Sequence, residues 1–148
     1  MHYYNQISKG YNELYGEEQL EKVKLIKKYI KPKGLLLDIG AGTGICTKEF
    51  EKYCNCIALD PSEELLKQYK GNKIIGKAEE LPFKDKIFDT IISITALHHS
   101  EINKSLKEIK RVSKPNAQIA ITILNKSRIK IKNYKKKIET QKDTIYIL

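Results

Sequence analysis

Hydrophobic residues recur along the chain in two alternating patterns, one with helical spacing and one in short continuous runs. Between residues 17 and 31 the apolar side chains fall three or four positions apart, at Leu20, Val23, Ile26 and Ile30. This spacing predicts an amphipathic helix, which the Pro and Gly of residues 32–34 should end. Residues 35–39 are then mostly apolar, which is typical of a strand buried on both faces.

The same alternation continues through the rest of the chain. Ser62 and Ser100 stand where helix N-caps are expected, and residues 114–116 have the composition of a turn. The pattern predicts further helices at 43–53, 61–70, 100–112 and 126–137, the last of them strongly basic. It predicts further strands at 55–60, 73–76, 89–94, 117–124 and 144–148.

This order of elements predicts an α/β protein with a doubly wound, mainly parallel sheet. A chain of 148 residues can bury one core, and no repeat or linker marks a second domain. We therefore expect a single compact domain over residues 1–148. Residues 1–31 would form an N-terminal lead-in or lid with the first helix, and residues 125–148 a shortened basic C-terminal end.

A glycine-rich loop follows the first predicted strand, at the edge where ligands bind in such sheets. It contains Gly40, Gly42 and Gly44, and glycines let backbone N–H groups approach a ligand closely. Asp60 ends the second predicted strand, where a carboxylate can accept hydrogen bonds from ribose hydroxyls. The alternative for Asp60 is a capping role before the helix that begins at Pro61.

The glycine spacing separates the candidate cofactors. A dinucleotide fingerprint needs a third glycine at position 45, where this chain has Ile45. No Gly-Lys-Ser or Gly-Lys-Thr follows, so a phosphate-binding loop of that type is not indicated either. The pattern therefore argues against NAD, FAD and nucleoside triphosphates.

Several stretches together resemble the class I S-adenosylmethionine-dependent methyltransferases. More narrowly, they resemble the type 11 group, which includes ubiquinone and menaquinone biosynthesis methyltransferases. Residues 37–44, with the sequence Leu-Asp-Ile-Gly-Ala-Gly-Thr-Gly, are similar to the first motif of the family. The resemblance extends over about residues 3–124, and its other parts are the segments 58–62, 76–83, 88–93, 97–99 and 108–121.

The resemblance implies a Rossmann-like fold and S-adenosylmethionine as the cofactor. No metal site is expected, because no histidine or second cysteine pair follows Cys54 and Cys56 at zinc-finger spacing. It implies that Asp38 lies near the amino group of the cofactor, Asp60 at the ribose, and residues 78–79 at the adenine. The group often has Asp where this chain has Lys77, which leaves one polar contact to the adenine open. The expected cofactor-binding residues are Asp38, Gly40, Ala41, Gly42, Gly44, Asp60, Pro61, Ala78, Glu79, Ile94 and Tyr11.

Methyl transfer from a sulfonium depends mainly on alignment and on the exclusion of water. A general base is needed only if the acceptor must lose a proton. His98 and His99, just past the fourth strand, are the candidates for that role, with a substrate wall as the alternative. Tyr11 and Tyr15 are expected to form part of a lid, although rings packed against the core are the alternative.

The net charge of +10 is concentrated near the C-terminus. Residues 126–148 carry eight basic and two acidic residues, and the basic patch at 126–137 can attract a phosphate backbone. RNA is therefore a candidate acceptor beside a small molecule. Only Arg111 and Arg128 among the 28 basic residues are arginines, so genome composition or adaptation to heat explains the lysines equally well.

The sequence thus predicts an S-adenosylmethionine-dependent methyltransferase with a small-molecule or RNA acceptor. The alternative is a cofactor-binding subunit that depends on a partner protein. A third possibility, an RNA-binding module without a cofactor, leaves the glycine loop and Asp60 unexplained. The short segment after residue 124 predicts an acceptor site that is open, small, or completed by a protein partner or homodimer. With no spanning run or export signal, a cytoplasmic protein without membrane contact is expected.

Overall fold

A computed structural model describes the backbone of residues 2–148 and the side chains from residue 13 onward. Its described residues contain one seven-stranded sheet. The strands are β1 (Leu35–Ile39), β2 (Asn55–Asp60), β3 (Asn72–Ile75), β4 (Phe88–Ile94), β5 (Ser113–Leu124), β6 (Lys136–Glu139) and β7 (Asp143–Ile147). Their order is β3-β2-β1-β4-β5-β7-β6. The first five strands are parallel, whereas β7 is antiparallel to β5 and β6. The predicted fold class, a doubly wound and mainly parallel sheet, is confirmed.

Four α-helices accompany the sheet in the described part of the chain. They are α1 (His2–Ile26), α2 (Ile45–Phe50), α3 (Glu63–Leu66) and α4 (Ile102–Val112). Short 3₁₀ turns occupy Leu97–His99 and Asn125–Ser127. The first helix begins earlier than the predicted residue 17. It also ends earlier, at Ile26, because residues 27–29 form a turn before Pro32. None of these helices is long and apolar enough to cross a membrane.

The central strands bury side chains on both faces of the sheet. Leu36 and Ile92 point to the face covered by α1 and α2, where they join Val23, Ile26 and Phe50. Leu37 and Ile91 point to the other face, against Ile109 and Val112 of α4. Because successive side chains of a strand alternate between faces, a continuous apolar run fits only a sheet that is covered on both sides.

The prediction of a basic helix at 126–137 is wrong. After the 3₁₀ turn, the chain runs without regular structure to β6, whose register pairs Ile138 with Ile145 of β7. Ile131, within this segment, has its side chain buried in the hydrophobic core. The lysines of residues 135–137 thus lie along the edge of the sheet, where charged side chains discourage pairing with another chain.

Two smaller predictions also differ from the structure, while one is confirmed. Ser62 is the N-cap of α3, since its hydroxyl accepts a hydrogen bond from the Leu65 N–H at 3.2 Å. Ser100 does not cap α4; Glu101 holds that position, and the Ser100 hydroxyl donates to the Leu97 carbonyl instead. The predicted turn at 114–116 is a bulge inside β5, where the register with β4 shifts.

Candidate functional site

A cleft opens at the carboxyl ends of β1, β2 and β4. It consists of two neighbouring cavities of about 520 Å³ and about 300 Å³. Both cavities are lined by Gly40, Pro61, Ala96 and His99, so they adjoin each other across these four residues. The sheet order reverses between β1 and β4, and ligands of doubly wound sheets bind at such a point.

The glycine loop forms one wall of the larger cavity. Gly40 and Gly42 have φ values of +74° and +56°, in the left-handed region that glycine enters without strain. A Cβ on Gly40 would lie 2.3 Å from the Cβ of Ala96, so the loop and the chain after β4 touch at this point. Gly40 therefore lies where the two cavities adjoin, whereas Ala41 and Gly42 line the larger cavity alone.

Gly44 is the one predicted glycine that lines neither cavity. It has φ +82° and serves as the N-cap of α2, and a Cβ there would lie 2.3 Å from the ring of Tyr69. Its conformation and this close packing explain why glycine is required at the position. The structure therefore gives Gly44 a role in shaping the loop rather than in lining the cleft.

Asp60 lies at the end of β2 and is buried to all but 8%. One carboxylate oxygen accepts a hydrogen bond from the Gly42 N–H at 2.9 Å, and the other accepts one from the Ser62 N–H at 2.8 Å. A carboxylate has about four acceptor positions, so this one retains capacity for hydroxyl donors from a ligand. Asp60 thus holds the glycine loop and faces the larger cavity at the same time.

Asp38 lies deeper in the same cavity, and only 2% of it is exposed. Burial raises the pKa of Asp38 to about 7; the hydrogen bond from the Thr47 hydroxyl, at 2.7 Å, opposes this shift, and the charge of Asp60 adds to it. A cation in the cavity would favour the ionised carboxylate. The position is therefore suited to a ligand that carries a positive charge.

The smaller cavity is the more apolar half of the cleft. Ala78 and Leu97 are buried in its walls together with Leu59, and the side chain of Glu79 lies at its rim. The Glu79 carboxylate accepts a hydrogen bond from the Glu101 N–H at 3.4 Å. Lys77 also lines this cavity, with an exposed side chain. Such walls fit the flat faces of an aromatic base.

The two predicted histidines lie side by side in one 3₁₀ turn, with ring centroids 4.0 Å apart, but only one of them reaches the cleft. His99 lines both cavities, whereas His98 lines neither. Burial, with smaller contributions from the charges of His99 and Lys22, lowers the pKa of His98. Its Nδ1 atom is buried without a hydrogen-bond partner among the described residues. His99 is therefore the histidine that a bound ligand can reach.

The helix α1 covers part of the larger cavity through Tyr15 and Gln19. The Gln19 amide donates a hydrogen bond to the carbonyl of Ile94, the predicted residue at the end of β4. The side chain of Tyr11, which the sequence also places at the cofactor, lies outside the described residues. The sequence did not identify Gln19 and Thr95 as site residues, because neither belongs to a motif and only the packing of α1 and of the turn after β4 places them at the cleft.

Comparison with known proteins places these features in context. Residues 37–121, more than half of the chain, match the model of a methyltransferase domain family. Uncharacterized protein MJ1252 of Methanocaldococcus jannaschii is 38% identical over 140 residues, which cover 88% of this chain and 55% of that protein. A demethylmenaquinone methyltransferase of Corynebacterium glutamicum is 34% identical over 97 residues, or 62% of this chain and 42% of that enzyme.

The fold is also similar to solved structures. One is a methyltransferase of Haloferax volcanii in complex with the Trm112 methyltransferase activator, with a TM-score of 0.71 and 19% identity. The similarity covers 78% of this chain and 57% of that one. The chain spans about half the length of these relatives.

Proposed function

The chain belongs to the methyltransferase domain family, and on this basis we propose that it binds S-adenosylmethionine in the cleft and methylates a small-molecule or RNA acceptor. The resemblance to the type 11 group is confirmed by the family match and by the demethylmenaquinone methyltransferase relative. The observation that carries the proposal is the pair of adjoining cavities: Asp38 and Asp60 line the larger one and Ala78 lines the smaller one, although the three residues come from separate segments.

The cleft fits the cofactor in each of its parts. The buried carboxylate of Asp38 suits the ammonium group of the methionine moiety, and the Asp60 carboxylate suits the two ribose hydroxyls. The apolar walls at Ala78 and Leu97 suit the adenine. When bound, S-adenosylmethionine supplies a methyl group on a sulfonium that is already a good leaving group.

The contribution of the chain is then alignment and shielding. The glycine loop lets the backbone approach the ligand, while Tyr15 and Gln19 of α1 cover part of the larger cavity and would shield a bound cofactor from water on that side. His99, at the junction of the two cavities, is placed to contact an acceptor or to remove its proton. The proposed base is therefore His99 rather than His98.

Calorimetry with S-adenosylhomocysteine tests the cofactor site. We expect binding with a Kd in the micromolar range, and binding at least about tenfold weaker in Asp60→Asn, which loses an acceptor for the ribose. Asp89→Asn is the matched control, because Asp89 also accepts a backbone hydrogen bond, from the Leu35 N–H at 2.9 Å, but lies outside the cleft. Absence of binding, or equal losses in both variants, would contradict the proposal.

The acceptor is identified by incubating fractions of cell extract with the chain and cofactor labelled in the methyl group. Label in RNA supports a role for the lysines of residues 126–137, and label in small molecules supports the other acceptor class. Label that appears only when a protein fraction is added supports the partner-dependent alternative. That alternative draws on the Haloferax volcanii methyltransferase, which was solved with an activator protein.

A further inference from the structure

A threonine with strained backbone geometry lies in the wall of the larger cavity. Thr95 follows β4 directly and has φ +54°. Among the described residues, Lys86 and Arg128 are the other non-glycine residues with positive φ, and neither of them is β-branched. A β-branched residue in the left-handed region is an outlier that persists only where its surroundings hold it.

Two side chains from distant elements hold Thr95 in this conformation. The Thr95 N–H donates to the Thr122 hydroxyl oxygen at 2.7 Å and also to the Thr122 carbonyl at 3.1 Å, a backbone bond that Thr122→Val would keep. The two threonine hydroxyls share a hydrogen bond of 3.0 Å. The Lys22 ammonium group donates to the Thr95 hydroxyl at 2.7 Å. Thr122 is fully buried in β5, and Lys22 comes from α1. We call Lys22 and Thr122 the Thr95 clamp.

The clamp is itself anchored at its outer end. Lys22 forms an ion pair of 3.2 Å with Asp143, and the side chains of these two residues are 16% and 7% exposed. Asp143 begins β7, so α1, β5 and β7 converge on one residue after β4. Ion pairs of this burial are costly to break because a charge would be left without its partner.

The conformation of Thr95 decides where the next residues lie. Ala96 touches the glycine loop so closely that a Cβ on Gly40 would lie 2.3 Å from the Ala96 Cβ. Ala96 and His99 line both cavities, and we call these two residues the shared wall. If Thr95 took an ordinary extended conformation, the chain would leave β4 in another direction and this shared wall would move.

We propose that Thr95 is a positioning residue for methyl transfer, held in its left-handed conformation by the Thr95 clamp so that the shared wall of the cleft stays fixed beside the cofactor. This inference rests on the proposed function, since the ligand is S-adenosylmethionine. A misplacement of about 1 Å in such a wall is enough to slow catalysis roughly a hundredfold, because the reacting groups are no longer aligned.

Thr122→Val tests the clamp because it removes the hydroxyl and keeps the shape of the side chain. Thr90→Val is the matched control: Thr90 is also fully buried, and its hydroxyl also makes two hydrogen bonds, to the backbone of Lys33. Calorimetry with S-adenosylhomocysteine should show about tenfold weaker binding in Thr122→Val and no change in Thr90→Val. Urea unfolding should show comparable losses of stability in both. Thr122→Ser, which restores the hydroxyl, should bind within about twofold of the wild type.

A double variant separates positioning from a general structural effect. Glycine adopts positive φ without support, so in a Thr95→Gly background the further change Thr122→Val should not weaken binding again. If Thr122→Val does not fold, Lys22→Met tests the clamp instead, because Lys22 is the clamp residue in α1. This variant should bind S-adenosylhomocysteine at least about fivefold more weakly than the wild type.

The inference is overturned if Thr122→Val binds as tightly as Thr90→Val, or if its effect is the same with threonine and with glycine at position 95. It is also overturned if Lys22→Met, used in place of an unfolded Thr122→Val, binds like the wild type. Those results, with normal binding by the wild type, would leave the proposed function in place. A wild-type chain that does not bind S-adenosylhomocysteine would remove both.

Discussion

At the scale of single residues, two carboxylates in the same cleft experience different surroundings. Asp60 accepts two backbone hydrogen bonds, from Gly42 and Ser62. Asp38 is more deeply buried, and the bond from the Thr47 hydroxyl is the one hydrogen bond to its side chain that the described contacts include. Because burial disfavours charge more than one hydroxyl can offset, Asp38 holds its proton to a higher pH than an exposed carboxyl.

This difference predicts a pH dependence of stability. The folded protein holds the Asp38 proton up to a pKa of about 7, whereas the unfolded chain releases it near 3.8. The contribution of Asp38 to the free energy of unfolding therefore decreases as pH rises through this window. Between pH 5 and pH 8, the free energy of unfolding of the wild type, measured in urea, should decrease by about 2–3 kcal/mol more than that of Asp38→Asn. Parallel pH profiles of the two proteins would contradict the assignment.

The same residue should couple cofactor binding to protons. A positively charged ligand beside Asp38 favours the ionised carboxylate, so binding below pH 7 releases a proton. The affinity for S-adenosylhomocysteine should accordingly rise from pH 5 to about pH 7 in the wild type and stay flatter in Asp38→Asn. Calorimetry in buffers of different ionisation enthalpy measures the released proton directly, and no buffer dependence at pH 6 would rule it out.

Gly40 is a second residue with a sharp expectation. In Gly40→Ala the new Cβ would meet Ala96 at 2.3 Å with φ at +74°, so we expect a loss of about 2–4 kcal/mol in the free energy of unfolding. Gly16→Ala is the control, because Gly16 lies in α1 and its Cβ would have an ordinary 3.6 Å contact with Ile45. That variant should be stabilised by up to about 1 kcal/mol. Equal effects at both positions would contradict the described loop geometry.

At the scale of elements, α4 holds the segment that follows the smaller cavity of the cleft. Arg111 donates to the carbonyls of Leu81 and Phe83 at 2.9 and 2.8 Å and binds Glu108 through two nitrogens. Glu108 in turn accepts a hydrogen bond from the Leu81 N–H at 2.9 Å. This planar, bidentate arrangement needs a guanidinium, which explains an arginine here in a chain whose basic residues are otherwise lysines apart from Arg128.

Arg111→Lys should therefore destabilise the protein although it keeps the charge. We expect the free energy of unfolding in urea to decrease by about 1–2 kcal/mol; solvent screening keeps this value small, because Arg111 is about a third exposed. We also expect weaker binding of S-adenosylhomocysteine. The control is Lys104→Met, which removes an exposed pair with Glu101 and should change stability by less than about 0.5 kcal/mol. An Arg111→Lys protein as stable as the control would show that the network is dispensable.

At the scale of the whole molecule, more than half of the net positive charge comes from residues 126–148, which carry eight basic and two acidic residues. Lysines of the segment 126–137 are exposed along the irregular stretch and the edge strand β6, at the end of the sheet opposite β3. These lysines lie on irregular backbone and an edge strand instead of the predicted helix. A phosphate backbone would be attracted to them through counterion release, with little dependence on sequence.

The variant Lys130→Gln/Lys132→Gln/Lys135→Gln tests this surface in salt-dependent RNA binding. Each lysine that contacts a phosphate should lower the slope of log affinity against log salt by about 0.7 for single strands, while binding of S-adenosylhomocysteine stays unchanged. A control with three exposed lysines elsewhere, at Lys52, Lys67 and Lys84, should keep the original slope. If both triple variants behave alike, the patch is not an RNA surface.

Much of the fold follows from local signals in the sequence. The strands at 35–39 and 55–60 have the predicted bounds, because short apolar runs next to glycine and proline are informative over a few residues. The glycine loop and Asp60 could be recognised for the same reason, since their spacing along the chain is set by one strand, one turn and one helix. The order of the elements was sufficient to predict a doubly wound sheet.

The remainder was decided by contacts between residues far apart in the chain. The segment 126–137 has helical composition, yet β6 forms because β7 offers an open edge and Ile131 gains burial in the core. The turn after β4 places His99 in the cleft and leaves His98 outside it, and Thr95 is held by Lys22, which is 73 positions away. Such contacts have no local signature, because their energy arises only when distant elements pack together.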